Sequence, residues 1–83
     1  MTDFNYNEFS TDVLISALKR EQYSLAHLES ENKRFAKKIQ RRRGYSRAAL
    51  EAYRDGIEIR KRQILRIQEE ISELESVIAQ RAA

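Results

Sequence analysis

The chain has 83 residues, a formal net charge of +3, and neither cysteine, proline nor tryptophan. That length allows one small domain, and the missing cysteines exclude a disulfide framework and thiolate metal sites. Charged residues make up 35% of the chain, a share that, with apolar residues at heptad spacing, belongs to long helices and coiled coils.

Residues 1–10 form an N-terminal segment. It lacks the basic start and apolar middle of a signal peptide, and residues 1–4 are expected to fray. Asn5 with Glu8 is one candidate helix start, flanked by Phe4 and Phe9 as a hydrophobic staple. Ser10 or Thr11, with Asp12 in the first turn, is the competing one. The preferred reading is a short helical turn at 6–9 leading into a main helix from about Thr11. Phe4, Tyr6 and Phe9 then plug one end of a bundle, or offer a partner an aromatic patch.

The first long helix is predicted over 11–42. Leu18, Leu25 and Ile39 fall at heptad position a, and Leu14, Leu28 and Phe35 at position d. Asn32 at a is the kind of polar seam residue that sets register at a cost in stability. Glu21 at d requires a cation or an open edge. A turn follows at 43–46. Basic residues in the last helical turn suit the negative end of the helix dipole, Gly44 suits a left-handed position after the helix, and Ser46 suits the next N-cap.

The second helix is predicted over 47–81, and it carries the strongest signal in the chain. Leu50, Ile57, Ile64, Ile71 and Ile78 recur every seven residues, with Tyr53, Ile67 and Leu74 between them. This is a seam of period 3.5. A short connection makes the two helices antiparallel neighbours. The fold class is therefore all-α, an antiparallel two-helix hairpin, coiled-coil-like and expected to self-associate into a helical bundle. One continuous parallel coil with Gly44 inside a long helix is the alternative. In the hairpin, facing residues have numbers summing to about 89, so Asn32 falls opposite Ile57. Gly56 is expected to admit a bulky neighbour such as Phe35. Glu69, Glu70, Glu73 and Glu75 are expected to meet Lys19 and Arg20 across the hairpin. Val13, Ile15, Ile59, Leu65 and Val77 lie off the seam and are expected to form a second contact face, for a dimer that completes a four-helix bundle.

The modest net charge conceals a strong asymmetry. Residues 33–66 hold thirteen bases against three acids, a net of +10, whereas the rest hold three bases against ten acids, a net of −7. A hairpin gathers the positive charge at its turn. Lys33, Arg34, Lys37, Lys38, Arg41, Arg42, Arg43 and Arg47 are the candidate binding residues, with Tyr45 at the apex able to stack on an unpaired base. Their partner is expected to be a protein with an acidic surface or a nucleic acid, recognised without sequence readout because no nucleic-acid-binding motif accompanies the bases. A plain solvated face is the bland alternative.

No catalytic, cofactor or metal motif appears. His27 is the single histidine and has no ligand set around it, and two helical rods offer no pocket for a small-molecule substrate. No apolar run approaches the roughly 18 residues of a membrane span, and the expected compartment is cytoplasmic. The profile is that of a non-enzymatic interaction protein: a small adaptor, regulator or inhibitor, a virus-encoded one included. A nonspecific nucleic-acid binder and a scaffolding coiled coil are the alternatives.

Overall fold

A computed structural model describes residues 6–41 and 44–82. A 3₁₀ turn at Tyr6–Glu8 precedes two long helices, α1 (Thr11–Arg41) and α2 (Arg47–Ala82), and no strand is present among the described residues. The helices pack against each other as an antiparallel hairpin in a rod 54 × 20 × 16 Å.

Serines start both helices. The Val13 amide donates to Ser10 Oγ at 3.3 Å, and the Ala49 amide donates to Ser46 Oγ at 3.1 Å. Each hydroxyl thereby takes up one of the amides that a helix N-terminus leaves without a carbonyl. The Asn5 alternative lies outside the described residues, as do Phe4, Arg42 and Arg43. The chain reverses at Gly44, whose φ of +75° lies in the left-handed region that side-chain-bearing residues avoid. One continuous coil is excluded by this reversal.

Register is fixed midway along the seam. Asn32 Nδ2 donates to the Ile57 carbonyl at 3.3 Å, and Asn32 Oδ1 accepts from Arg60 Nε at 2.6 Å. The polar seam residue is thus satisfied on both sides, and facing residues do sum to 89 at this point.

Burial along the rod is uneven. Leu14, Ile71 and Leu74 are the buried apolar residues among those described, and all lie toward the open end. Leu18, Leu25, Leu28, Ile39, Leu50, Ile57, Ile64, Ile67 and Ile78 are only half-buried. Two helices can cover one stripe of each other and no more, so most of the seam keeps a wet margin. The open end differs because the 3₁₀ turn folds over it. Arg81 fastens that turn, donating to the Tyr6 carbonyl at 2.9 Å and to the Phe9 carbonyl at 2.7 Å.

Two expectations follow for urea unfolding monitored by circular dichroism. Leu14→Ala costs roughly 2–5 kcal/mol, and Leu25→Ala at an equivalent seam position costs clearly less, because its neighbours leave it half in water. Gly44→Ala costs about 1 kcal/mol of purely conformational origin, since no atom lies within 4 Å of where the new methyl would sit.

Candidate partner-binding surface

The turn end is built from the last turns of α1 and the first of α2. Lys33, Arg34, Lys37, Arg41 and Arg47 are exposed there, and Lys38 is half-buried. Lys38 and Arg41 close α1, where the helix dipole favours bases. Arg47 stands at the opposite electrostatic position. It is the first residue of α2, the first turn contains no acid, and its side chain is 95% exposed. Its ion pair to Glu51 is long at 3.9 Å. A base there works against the dipole by about 0.3–1 kcal/mol.

An aromatic group props up the cations on one side. Phe35 and Tyr53 stack across the hairpin with centroids 5.2 Å apart, and Tyr45 meets Tyr53 edge-on at 5.4 Å. Tyr45 is therefore half-buried, with its ring engaged inside the turn. Arg34, Lys38 and Arg60 crowd the Phe35 ring at 5.4, 5.2 and 4.3 Å from its centroid. Each such contact is worth about 0.5–1 kcal/mol at an exposed site.

Arg60 was not anticipated from the sequence, although it occupies a d position in the α2 frame. Its guanidinium is fixed by Asn32 on one side and Phe35 on the other. The space at Gly56 serves this group. A methyl added at Gly56 would meet Arg60 Nη2 at 3.0 Å, so the bulky neighbour is Arg60 and not Phe35. Arg81, the clamp of the 3₁₀ turn, occupies another d position. A basic residue in an otherwise apolar frame is the signal that identifies both.

The open end carries the opposite charge. Tyr6 Oη donates to Glu73 at 3.1 Å. Glu70, expected to meet Lys19 or Arg20, instead shares a hydrogen bond with Glu21. Burial first, then that hydrogen bond and the charge of Glu70, hold the Glu21 carboxyl above its ordinary value, while Arg20 opposes them without prevailing. The carboxyl at this seam position is thus met by a second carboxyl at an open edge and not by a cation. The pair borders a shallow groove of about 350 Å³ that also touches Tyr6, Phe9, Val13 and Ala17. A second groove of about 360 Å³ follows at mid-height, bordered by Tyr23, His27, Gln63 and Arg66.

Both of these grooves run along the edge formed by heptad positions g and c of each helix, and a third of about 390 Å³, bordered by Leu65, Gln68 and Ser72, lies on the opposite edge. The five off-seam apolar residues divide between the two edges. Val13, Ile59 and Val77 belong to the g and c edge, and Ile15 and Leu65 to the opposite edge, formed by positions e and b. Val13, Ile59 and Leu65 are among the most exposed large apolar residues described.

Among the described residues no group of three or more acidic or histidine side chains is arranged to hold a metal ion, and no helix is long and apolar enough to cross a membrane. No protein-family model, curated protein or solved structure matches the chain.

Two measurements probe these contacts. Gly56→Ala is expected to gain less than the ~1 kcal/mol of helix propensity, and to recover the full gain in an Arg60→Ala background, where the guanidinium no longer has to yield. Glu21→Gln is expected to raise the melting temperature at pH 7. The Glu21 pKa is higher folded than unfolded, so its protonated form adds stability that is complete below the ordinary 4.5 and is lost as pH rises through the folded-state value. The advantage of Glu21→Gln over the parent chain should therefore shrink as the solution is acidified through that window.

Proposed function

We propose that the chain is a non-enzymatic interaction module, a small helical-hairpin adaptor, regulator or inhibitor whose basic turn end docks on an anionic surface of a macromolecular partner. The observation that carries this reading is Arg47. It opposes the dipole of its own helix, is 95% exposed and, among the described residues, pairs weakly, so folding gives it little purpose there. A residue that breaks a local rule without local compensation points to function. Lys33, Arg34, Lys37 and Arg41 extend the same positive end with exposed side chains.

A nucleic-acid partner is the second reading, favoured by the density of bases. Eight fall between Lys33 and Arg47 with no acid among them. Phosphate contacts fit this better than base stacking, because Tyr45 already packs edge-on against Tyr53.

Fluorescence anisotropy with labelled polyglutamate and a labelled DNA duplex at 50 mM salt tests both readings. Binding to either is expected. Arg47→Glu should weaken it while raising unfolding stability by about 0.3–1 kcal/mol, a trade that a merely structural residue does not make. Duplex binding should fall steeply with salt, with a slope reduced by about 1 in the variant. Absence of binding to both probes would remove the proposal, and binding to polyglutamate alone would remove the nucleic-acid reading.

A further inference from the structure

We propose that Arg34, Lys38 and Arg60 form a binding site for a phosphate monoester dianion on the flank of the seam. Their charged groups converge on one ring, 5.4, 5.2 and 4.3 Å from the Phe35 centroid. The convergence follows from chain direction. Side chains on a helix lean toward its N-terminus, and the two helices run antiparallel. Lys38 therefore leans from the turn toward the open end, Arg60 leans from the open end toward the turn, and Phe35 lies between them. Lys38 also comes within 5.3 Å of the Tyr53 centroid.

Arg60 is already prepared for an anion. Asn32 Oδ1 accepts from its Nε at 2.6 Å, and among the described residues no acceptor meets its Nη1 and Nη2 groups. These lie over the bare backbone of Gly56, where an added methyl would meet Nη2 at 3.0 Å and Nη1 at 3.4 Å. Gly56 and Lys38 both occupy position g and Arg34 position c, so the open donors of Arg60 share an edge with the other two cations. A guanidinium fork presents paired N–H donors that match two oxygens of a phosphate. Fixing the fork before the ligand arrives removes part of the ordering cost of binding.

Charge selects a dianion. Arg34 is matched by Glu31 at 2.8 Å, whereas Lys38 and Arg60 have no acidic partner among the described residues. Glu51 and Glu58 sit at position b on the opposite edge and pair with Arg47 and Lys61, and Asp55 falls at f on the outer face. Two positive charges are thus left uncompensated beside a half-buried ring, where solvent screens them less than at the exposed tip. A phosphate monoester is dianionic above its second pKa of about 6, while a carboxylate or a phosphodiester carries a single charge. Phe35 and Tyr53 already stack on each other, so the site reads the phosphoryl group and not a base attached to it. Arg47 takes no part, and the site does not rest on the docking role proposed for that residue.

Titration of the ¹⁵N-labelled full chain with inorganic phosphate, at an ionic strength held near ~0.15 M and followed at the arginine Nε–H signals, decides the matter. The Arg60 signal is expected to move to saturation with a Kd of about 1 mM. Lys38→Gln should raise that Kd on the order of tenfold, the effect of one lost charge-assisted hydrogen bond. Gly56→Ala should raise it to a smaller extent while circular dichroism shows the helices intact, because the methyl displaces the fork. Arg54→Gln removes an exposed charge at the same height on the opposite edge and should leave the Kd unchanged. Dimethyl phosphate, a monoanion, should bind on the order of tenfold more weakly than phosphate. Phosphoserine and a nucleoside monophosphate then show which carrier of the group the surroundings favour. A shift that never saturates, a Gly56→Ala chain that binds as the parent does, an Arg54→Gln effect equal to that of Lys38→Gln, equal affinity for dimethyl phosphate, or no response to either ester would each overturn the proposal.

Discussion

A helix has one stripe to bury, and in a two-helix protein only one other helix is present to bury it. The isoleucine ladder of α2 and the leucines of α1 use that stripe fully, yet most of them finish half-buried. Burial approaches that of an ordinary core only where a third element arrives. The 3₁₀ turn at Tyr6–Glu8 does this at the open end, and Leu14, Ile71 and Leu74 lie beneath the region it covers. The hydrophobic contribution per buried side chain, about 1.5–3 kcal/mol when complete, is therefore concentrated at one end of the rod. Elsewhere the seam sets direction and spacing more than it supplies stability.

Polar groups make up the difference in specificity. A period-3.5 ladder alone tolerates slippage by a heptad, since each step presents another isoleucine. Asn32 removes that freedom because its amide needs both the Ile57 carbonyl and Arg60. Arg60 in turn needs the hollow at Gly56 and the face of Phe35. Five residues on two helices thus define a single register. Arg81 plays the corresponding part at the open end, where two backbone carbonyls of the N-terminal segment accept its guanidinium.

The same hairpin sorts charge along its axis. Bringing the turn-proximal thirds of both helices together concentrates bases that the linear sequence spreads over thirty-four residues. Some of these bases have structural roles. Lys38 and Arg41 complement the end of α1, and Arg34 and Lys38 lie near the Phe35 ring. Arg47 has none, which is why it bears the weight of the functional reading.

The heptad frame, the two serine caps, the left-handed glycine and the axial separation of charge were all legible in the sequence. Each is a local or periodic property that short-range sterics and hydrogen bonding determine. The tertiary structure decided what depends on side chains meeting across the seam. It assigned the Gly56 hollow to Arg60, turned Tyr45 inward onto Tyr53, and paired Glu70 with Glu21 in place of a lysine or arginine. It also separated Val13, Ile59 and Val77 from Ile15 and Leu65. Composition treats these five as equals, but the rotational phase of each helix in the hairpin sends them to opposite edges. Periodicity fixes which residues face the partner helix. Only the packed pair determines which long polar side chains can reach one another, because that depends on reach and rotamer and not on spacing alone.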